Sequence, residues 1–134
     1  MSLYSRVVEF LNPTPASPET VNEALHSVDK HVSEHGEKTY SKSGRFGNTR
    51  YYEVRLGMNL GDLDVIVQEN ANSSSIEGSL KEKSVSILKG KMTLCQLNYG
   101  LDRLAAIVPR TVSGSLTQKQ ADSIFAALSY ARNR

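Results

Sequence analysis

Between Thr49 and Met58 the chain alternates with period two. Arg50, Tyr52, Val54, Leu56 and Met58 fall on one side, and Tyr51, Glu53 and Arg55 on the other. That is the mark of a strand with one dry and one wet face. The alternation returns in Asp62–Glu69, where Leu63, Val65 and Val67 share a face, and more weakly in Ile76–Leu80, Ser84–Leu88 and Met92–Leu97. Thr39–Lys42 reads as a short polar strand, set off by the turn-forming run Gly44-Arg45-Phe46-Gly47-Asn48. Asn70–Ser75 reads as a polar loop and Lys89-Gly90-Lys91 as a hairpin turn. Connections this short predict antiparallel neighbours.

Helical periodicity frames these strands. Ser17-Pro18-Glu19 supplies an N-cap, a proline at the first helical position and an early acid. Val21, Ala24, Leu25, Val28 and Val32 follow at helical spacing before Gly36, which predicts a helix over 18–35. The segment 2–11 suits either a helix, through Leu3, Val7, Phe10 and Leu11, or a strand; Asn12-Pro13 ends it. After the strands, Leu101, Leu104, Ala105 and Val108 stand at i, i+3, i+4 and i+7 and predict a short helix stopped by Pro109. Thr117 then caps a stripe of Ala121, Ile124, Phe125 and Leu128. The expected fold is α+β, with residues 1–134 as one domain. An antiparallel meander of about five strands carries an N-terminal helix and two C-terminal helices on one face.

Composition agrees with a folded globule: 134 residues, 39% apolar and 22% charged. The single cysteine, Cys95, excludes an internal disulfide and a Cys-rich metal site, and its neighbours Met92, Leu94 and Leu97 mark it as a core residue. The first residues lack a basic leader with a long apolar run, and no stretch reaches the roughly 18 apolar residues of a membrane span. Synthesis in a cytoplasm, with no membrane partner, is therefore expected, and Asn72-Ser73-Ser74 reads as loop rather than glycosylation site. Net charge is +2 but uneven. Residues 1–44 hold four basic and six acidic groups, residues 45–78 three and five, and residues 79–134 nine and three. The last stretch is the one able to attract phosphates.

No catalytic pattern emerges. His31 and His35 have the i, i+4 spacing of a metal clasp but no third ligand is evident, and they read as polar helix surface. Asp62 and Asp64 alternate on a strand as metal-sharing carboxylates do, without the upstream Gly-Ser turn that phosphate transfer needs, and read as the wet edge of a hairpin. There is no nucleophile motif, and Gly44, Gly47 and Gly57 are not followed by a helix start that would cradle phosphate. Neither enzymatic activity nor a cofactor or metal is expected. What remains is a polar sheet. Lys81, Lys83, Lys89, Lys91 and Thr93, with Ser84 and Ser86 between them, line a surface with donors suited to phosphate oxygens. Tyr51 and Arg55 add a stacking platform and a cation.

The run Gly47-Asn48-Thr49-Arg50-Tyr51-Tyr52-Glu53-Val54-Arg55-Leu56 is similar to the central strand of the coat proteins of single-stranded RNA bacteriophages, and the closing Ser115–Ala131 helix matches their last element. The resemblance covers residues 38–131. That family usually begins with a β-hairpin where this chain predicts a helix, and its span from central strand to last helix is shorter. The resemblance implies a capsid subunit of the virion, a homodimer with a continuous sheet and helices packed across the partner. It also implies RNA met by Tyr51, Arg55 and the Lys, Ser and Thr positions of 81–93. The expectation is thus a self-assembling structural protein that dimerises, builds a larger assembly and contacts RNA through its sheet. The alternative is a small cytoplasmic module that binds a protein through a sheet edge or the groove beside the last helix, with no nucleic-acid role.

Overall fold

Ser17 begins the first helix as the sequence predicts, its hydroxyl accepting from the Thr20 amide at 3.2 Å. A computed structural model describes residues 14–73, 79–104 and 106–132; the ambiguous segment 2–11 and the Ile76–Gly78 part of an expected strand lie outside them. Helix α1 runs Pro18–His35, and the Gly36 amide closes it on the Val32 carbonyl at 2.7 Å. Six strands follow: β1 Glu37–Phe46, β2 Thr49–Leu60, β3 Leu63–Ser73, β4 Ser79–Lys89, β5 Met92–Leu101 and β6 Ile107–Gly114. They pair antiparallel in chain order, a meander with β1 and β6 at the edges. Helix α2, Gln118–Arg132, ends the described chain.

The α+β class and the meander match the expectation, with six strands in place of about five and one C-terminal helix in place of two. The expected helix over Leu101–Val108 is instead the end of β5, a turn and the start of β6. The Asp102 carboxylate turns the chain by accepting from the amides of Leu104 at 2.8 Å and Ala106 at 2.9 Å, satisfying locally the donors a helix would have used. Pro109, read as a helix stop, sits in an edge strand, where a missing N–H is tolerated. The strands also run longer than the sequence suggests. β1 absorbs Gly44–Phe46, leaving only Gly47-Asn48 as the turn, and β3 continues through Asn70 to Ser73.

Both helices lie on one side of the sheet. α1 packs across β2, β3, β4 and β5, and α2 packs against α1 and β2. The core joins Val21, Ala24, Leu25, Val28 and Val32 of α1 with Val65, Val67, Val85, Ile87, Cys95 and Leu97 of the sheet and Ala121, Ile124 and Leu128 of α2. Each buried Val, Leu or Ile contributes roughly 1.5–3 kcal/mol relative to its exposed state. The helix starts are tied together by Pro15 bridging Thr117, by the Ala16 amide to the Leu116 carbonyl at 2.9 Å and by the Gln118 amide to the Thr14 carbonyl at 2.8 Å. Thr117 and Gln120 cap α2 reciprocally, at 3.1 and 2.9 Å.

Gly114 is the tightest backbone position. Its φ is +78°, and a Cβ there would collide with the Leu94 carbonyl and lie 2.8 Å from the Cys95 Cα. Gly90, in the β4–β5 turn, also has positive φ at +63° but opens onto empty space. Gly90→Ala is therefore expected to cost about 1–2 kcal/mol from backbone conformation alone, and Gly114→Ala a further 1–3 kcal/mol or so from the clash. Urea denaturation of the two variants checks the order.

Candidate nucleic-acid interface

The register decides which side chains can meet a partner. Val67, Val85 and Leu97 stand opposite one another across β3, β4 and β5 and point into the core. Their neighbours Gln68, Ser84 and Asn98 therefore occupy the other, open face. Alternation then places Asp64, Ile66, Gln68 and Asn70 of β3, Glu82, Ser84, Ser86 and Leu88 of β4, and Gln96 and Asn98 of β5 on that face, and a register shift that pairs Thr93 with Leu88 adds Thr93. Gln68, Asn70, Glu82, Ser84, Gln96 and Asn98 are among the residues lining a shallow recess of about 720 Å³. Gln96 donates to the Ser86 hydroxyl at 3.0 Å.

At the β1–β2 side, Arg55 lies on the open face 4.6 Å above the Tyr40 ring. Its guanidinium donates to Gln68 Oε1 and to Glu53 Oε1, each at 3.1 Å, and Gln68 Nε2 donates to the same Glu53 oxygen at 2.8 Å. Glu53 thus neutralises Arg55 within a closed triangle. Tyr51 is on the same face, its hydroxyl end over Gly44 where it leaves no room for a Cβ, and it is 40% exposed.

The structure separates the residues that the sequence grouped. Tyr51, Arg55, Ser84, Ser86 and Thr93 share the open face. Lys89 and Lys91 are exposed at the β4–β5 hairpin, at one end of the sheet. Lys81 lies at the β-bulge of β4 opposite Asn70 and Ala71. Lys83 is on the opposite face, beneath α1, because it shares parity with Val85 and Ile87. Its Nζ is 2.7 Å from Asp29 Oδ1, with the two side chains only 16% and 12% exposed. Asp29 also accepts from the Tyr99 hydroxyl at 3.0 Å and the Ser33 hydroxyl at 3.2 Å, and Lys83 stands 5.1 Å from the Tyr99 ring centroid. Lys83 is thus held in an ion pair on the helix side of the sheet, apart from the open-face residues it was grouped with.

Sequence reasoning missed the carboxamides. Gln68-x-Asn70 and Gln96-x-Asn98 repeat at the strand period, a signal that the lysines overshadowed. Across β3–β5 the open face carries two carboxylates, Asp64 and Glu82, and among the described side chains no cation. Such a surface suits base edges and sugar hydroxyls more than phosphate oxygens.

The other chemical candidates separate as well. Asp62 lies in the β2–β3 turn and only Asp64 is in the strand, so the two carboxylates do not alternate on one strand. The His31 and His35 rings are 5.0 Å apart, and no group of three or more metal-ligating side chains is assembled among the described residues. Burial pushes the Cys95 thiol up to about 12, far from a nucleophile. No described helix is long and apolar enough to cross a membrane. The chain matches no protein-family model, no curated protein and no solved structure.

Two outcomes are expected at Asp29. Lys83→Met strands a buried carboxylate and should cost about 3 kcal/mol or more in denaturant titration, whereas Lys83→Met combined with Asp29→Leu should cost less than the single change. Tyr99 gives a pH signature. Burial, then the hydrogen bond it donates to Asp29 and the charge of that carboxylate, push its phenol up to about 12. The unfolded phenol titrates near its ordinary value of about 10. The folded state therefore holds the proton longer, and this contribution is complete below pH about 10 and lost as pH rises from about 10 to about 12. Denaturation midpoints across that window should fall more steeply for the native chain than for Tyr99→Phe.

Proposed function

We propose that the protein is a self-assembling structural subunit of the coat-protein kind, which pairs with a second copy and lays its open sheet face against RNA. One observation carries this reading: among the described residues, a six-stranded sheet is covered by helices on one side only, its other face is mostly polar and its two edge strands are uncovered. Tyr51, Ser84, Ser86 and the recess of Gln68, Asn70, Gln96 and Asn98 offer stacking surface and amide and hydroxyl groups to unpaired nucleotides.

The edges support pairing at one side. β1 bears Lys38, Lys42 and Arg45 and a bulge next to Thr39, devices that discourage another strand. β6 has one cation, Arg110, whose stem lies on Gly100 and whose guanidinium bonds the Leu101 carbonyl of its own neighbour strand. Beside it Val112, opposite Leu97 on the helix side of the sheet, is 43% exposed. A second copy added along β6 would cover that valine and extend the sheet.

Light scattering coupled to absorbance at 260 and 280 nm, before and after nuclease, tests the proposal. The expected result is a dimer or larger particle with nuclease-sensitive absorbance. A monodisperse monomer of 14.8 kDa at high concentration would sink it, and a stable assembly without nucleic acid would remove the RNA part and favour a protein-binding module. Val112→Lys should weaken self-association by about tenfold or more with the fold intact, read by dilution and circular dichroism.

A further inference from the structure

The distal half of the β1–β2 hairpin has a composition found nowhere else on the described surface. Residues 40–52, Tyr-Ser-Lys-Ser-Gly-Arg-Phe-Gly-Asn-Thr-Arg-Tyr-Tyr, hold three cations, three tyrosines and a phenylalanine, and no acid. Arg45 and Arg50 are direct cross-strand partners in the register, so their side chains leave the same face at neighbouring positions. Like charges placed directly opposite on a sheet repel. Both arginines are exposed, and neither has a carboxylate or hydrogen-bond partner among the described residues. This sets them apart from Arg55, neutralised by Glu53, and from Lys83, neutralised by Asp29.

Their face is the helix side of the sheet, since Arg50 shares the parity of Leu56, Met58 and Leu60 along a β2–β3 register without a bulge. On the reverse, open side of the same hairpin stand Lys42, Tyr51 and, paired with Thr49 at the tip, Phe46, which is 84% exposed. The hairpin end thus carries guanidinium groups on one side and bare aromatic rings on the other. Two guanidinium groups rising from opposed strand positions can share the oxygens of one phosphate, whose charge removes their repulsion.

We infer that Arg45 and Arg50 form a phosphate clamp on the β1–β2 hairpin that grips the backbone of single-stranded nucleic acid, with a neighbouring base stacked on Phe46. The inference deepens the RNA part of the proposed function and rests on it. It supplies the cations that the centre of the open face lacks and places them at the end of the sheet and on its other side. A strand crossing the open face would bend around the hairpin tip to reach them.

The test uses the full chain, a fluorescent oligouridine and inorganic polyphosphate, with binding followed by anisotropy for the oligouridine and by its displacement for the polyphosphate. Arg45→Gln with Arg50→Gln should weaken oligouridine binding about tenfold or more near 50 mM salt and reduce the slope of log K against log salt by about 0.7, the loss of one neutralised phosphate. Lys30→Gln with Lys119→Gln, an equal charge change at exposed helix positions, should alter binding less than about twofold. Phe46→Ala should weaken oligouridine but leave polyphosphate unchanged, because only the former offers a base to stack. The melting temperature of the arginine variant should stay level or rise, since a repulsion is removed.

Equal losses from the arginine and lysine pairs would overturn the clamp in favour of diffuse attraction, and undiminished binding by the arginine variant would overturn it outright. In either case the coat reading would stand, because self-assembly is read separately by light scattering. Failure of the unaltered chain to bind oligouridine even at low salt would remove the clamp and the RNA reading together.

Discussion

A buried carboxylate constrains where α1 can sit. Asp29 is on the otherwise apolar face that α1 turns to the sheet, and it is satisfied only by groups reaching it from several places: Lys83 from β4, Tyr99 from β5 and Ser33 one helical turn along. Sliding or rotating α1 by one residue would leave Asp29 charged and dry or strand Lys83, either of which costs several kcal/mol. The apolar contacts of Val28 and Val32 would tolerate such a slip better, because dispersion and hydrophobic burial have little directionality. The ion pair therefore adds register to a contact that the aliphatic residues make strong.

Once α1 is seated, strand parity allots the rest. The residues of β3, β4 and β5 in phase with Val67, Val85 and Leu97 go beneath the helix, and those out of phase form the open face. Lys83 and Ser84 are neighbours in sequence yet reach opposite sides of the sheet. The basic excess of residues 79–134 consequently does not collect on one surface. It divides between the core-side ion pair, the β4–β5 hairpin and the more distal turns and helix, while the open face keeps a neutral, amide-rich centre. Cation density and sheet face, which the sequence suggested were one feature, are two.

The elements legible in the chain were those with local causes. The helix over 18–35 is written in Ser17, Pro18 and the spacing of Val21, Leu25, Val28 and Val32. The strand at 49–58 is written in its alternation, and α2 in the Thr117–Gln120 capping box and its apolar stripe. The misread stretch at 101–108 shows the limit. Leu101, Leu104, Ala105 and Val108 fit a helix by spacing, but Asp102 takes the first amides for a turn and the segment gains more by pairing with β5. A pattern of four apolar residues does not report whether an unpaired strand edge is waiting nearby.

The site was legible in part for the same reason. Tyr51, Ser84 and Ser86 sit on the open face, as their alternation with core residues implies, whereas Thr93, in phase with buried Cys95 and Leu97, reaches it only through the register shift between β4 and β5. By itself, then, the sequence determined which residues alternate, where helices start and stop, and that an antiparallel sheet carries helices. Only the tertiary structure decided that Lys83 is spent on Asp29, that Arg55 is spent on Glu53, and that Arg45 and Arg50 face each other without a counter-charge. Whether a charge is available to a partner depends on what lies within a few ångströms of it, and those neighbours come from strands and helices far apart in the chain.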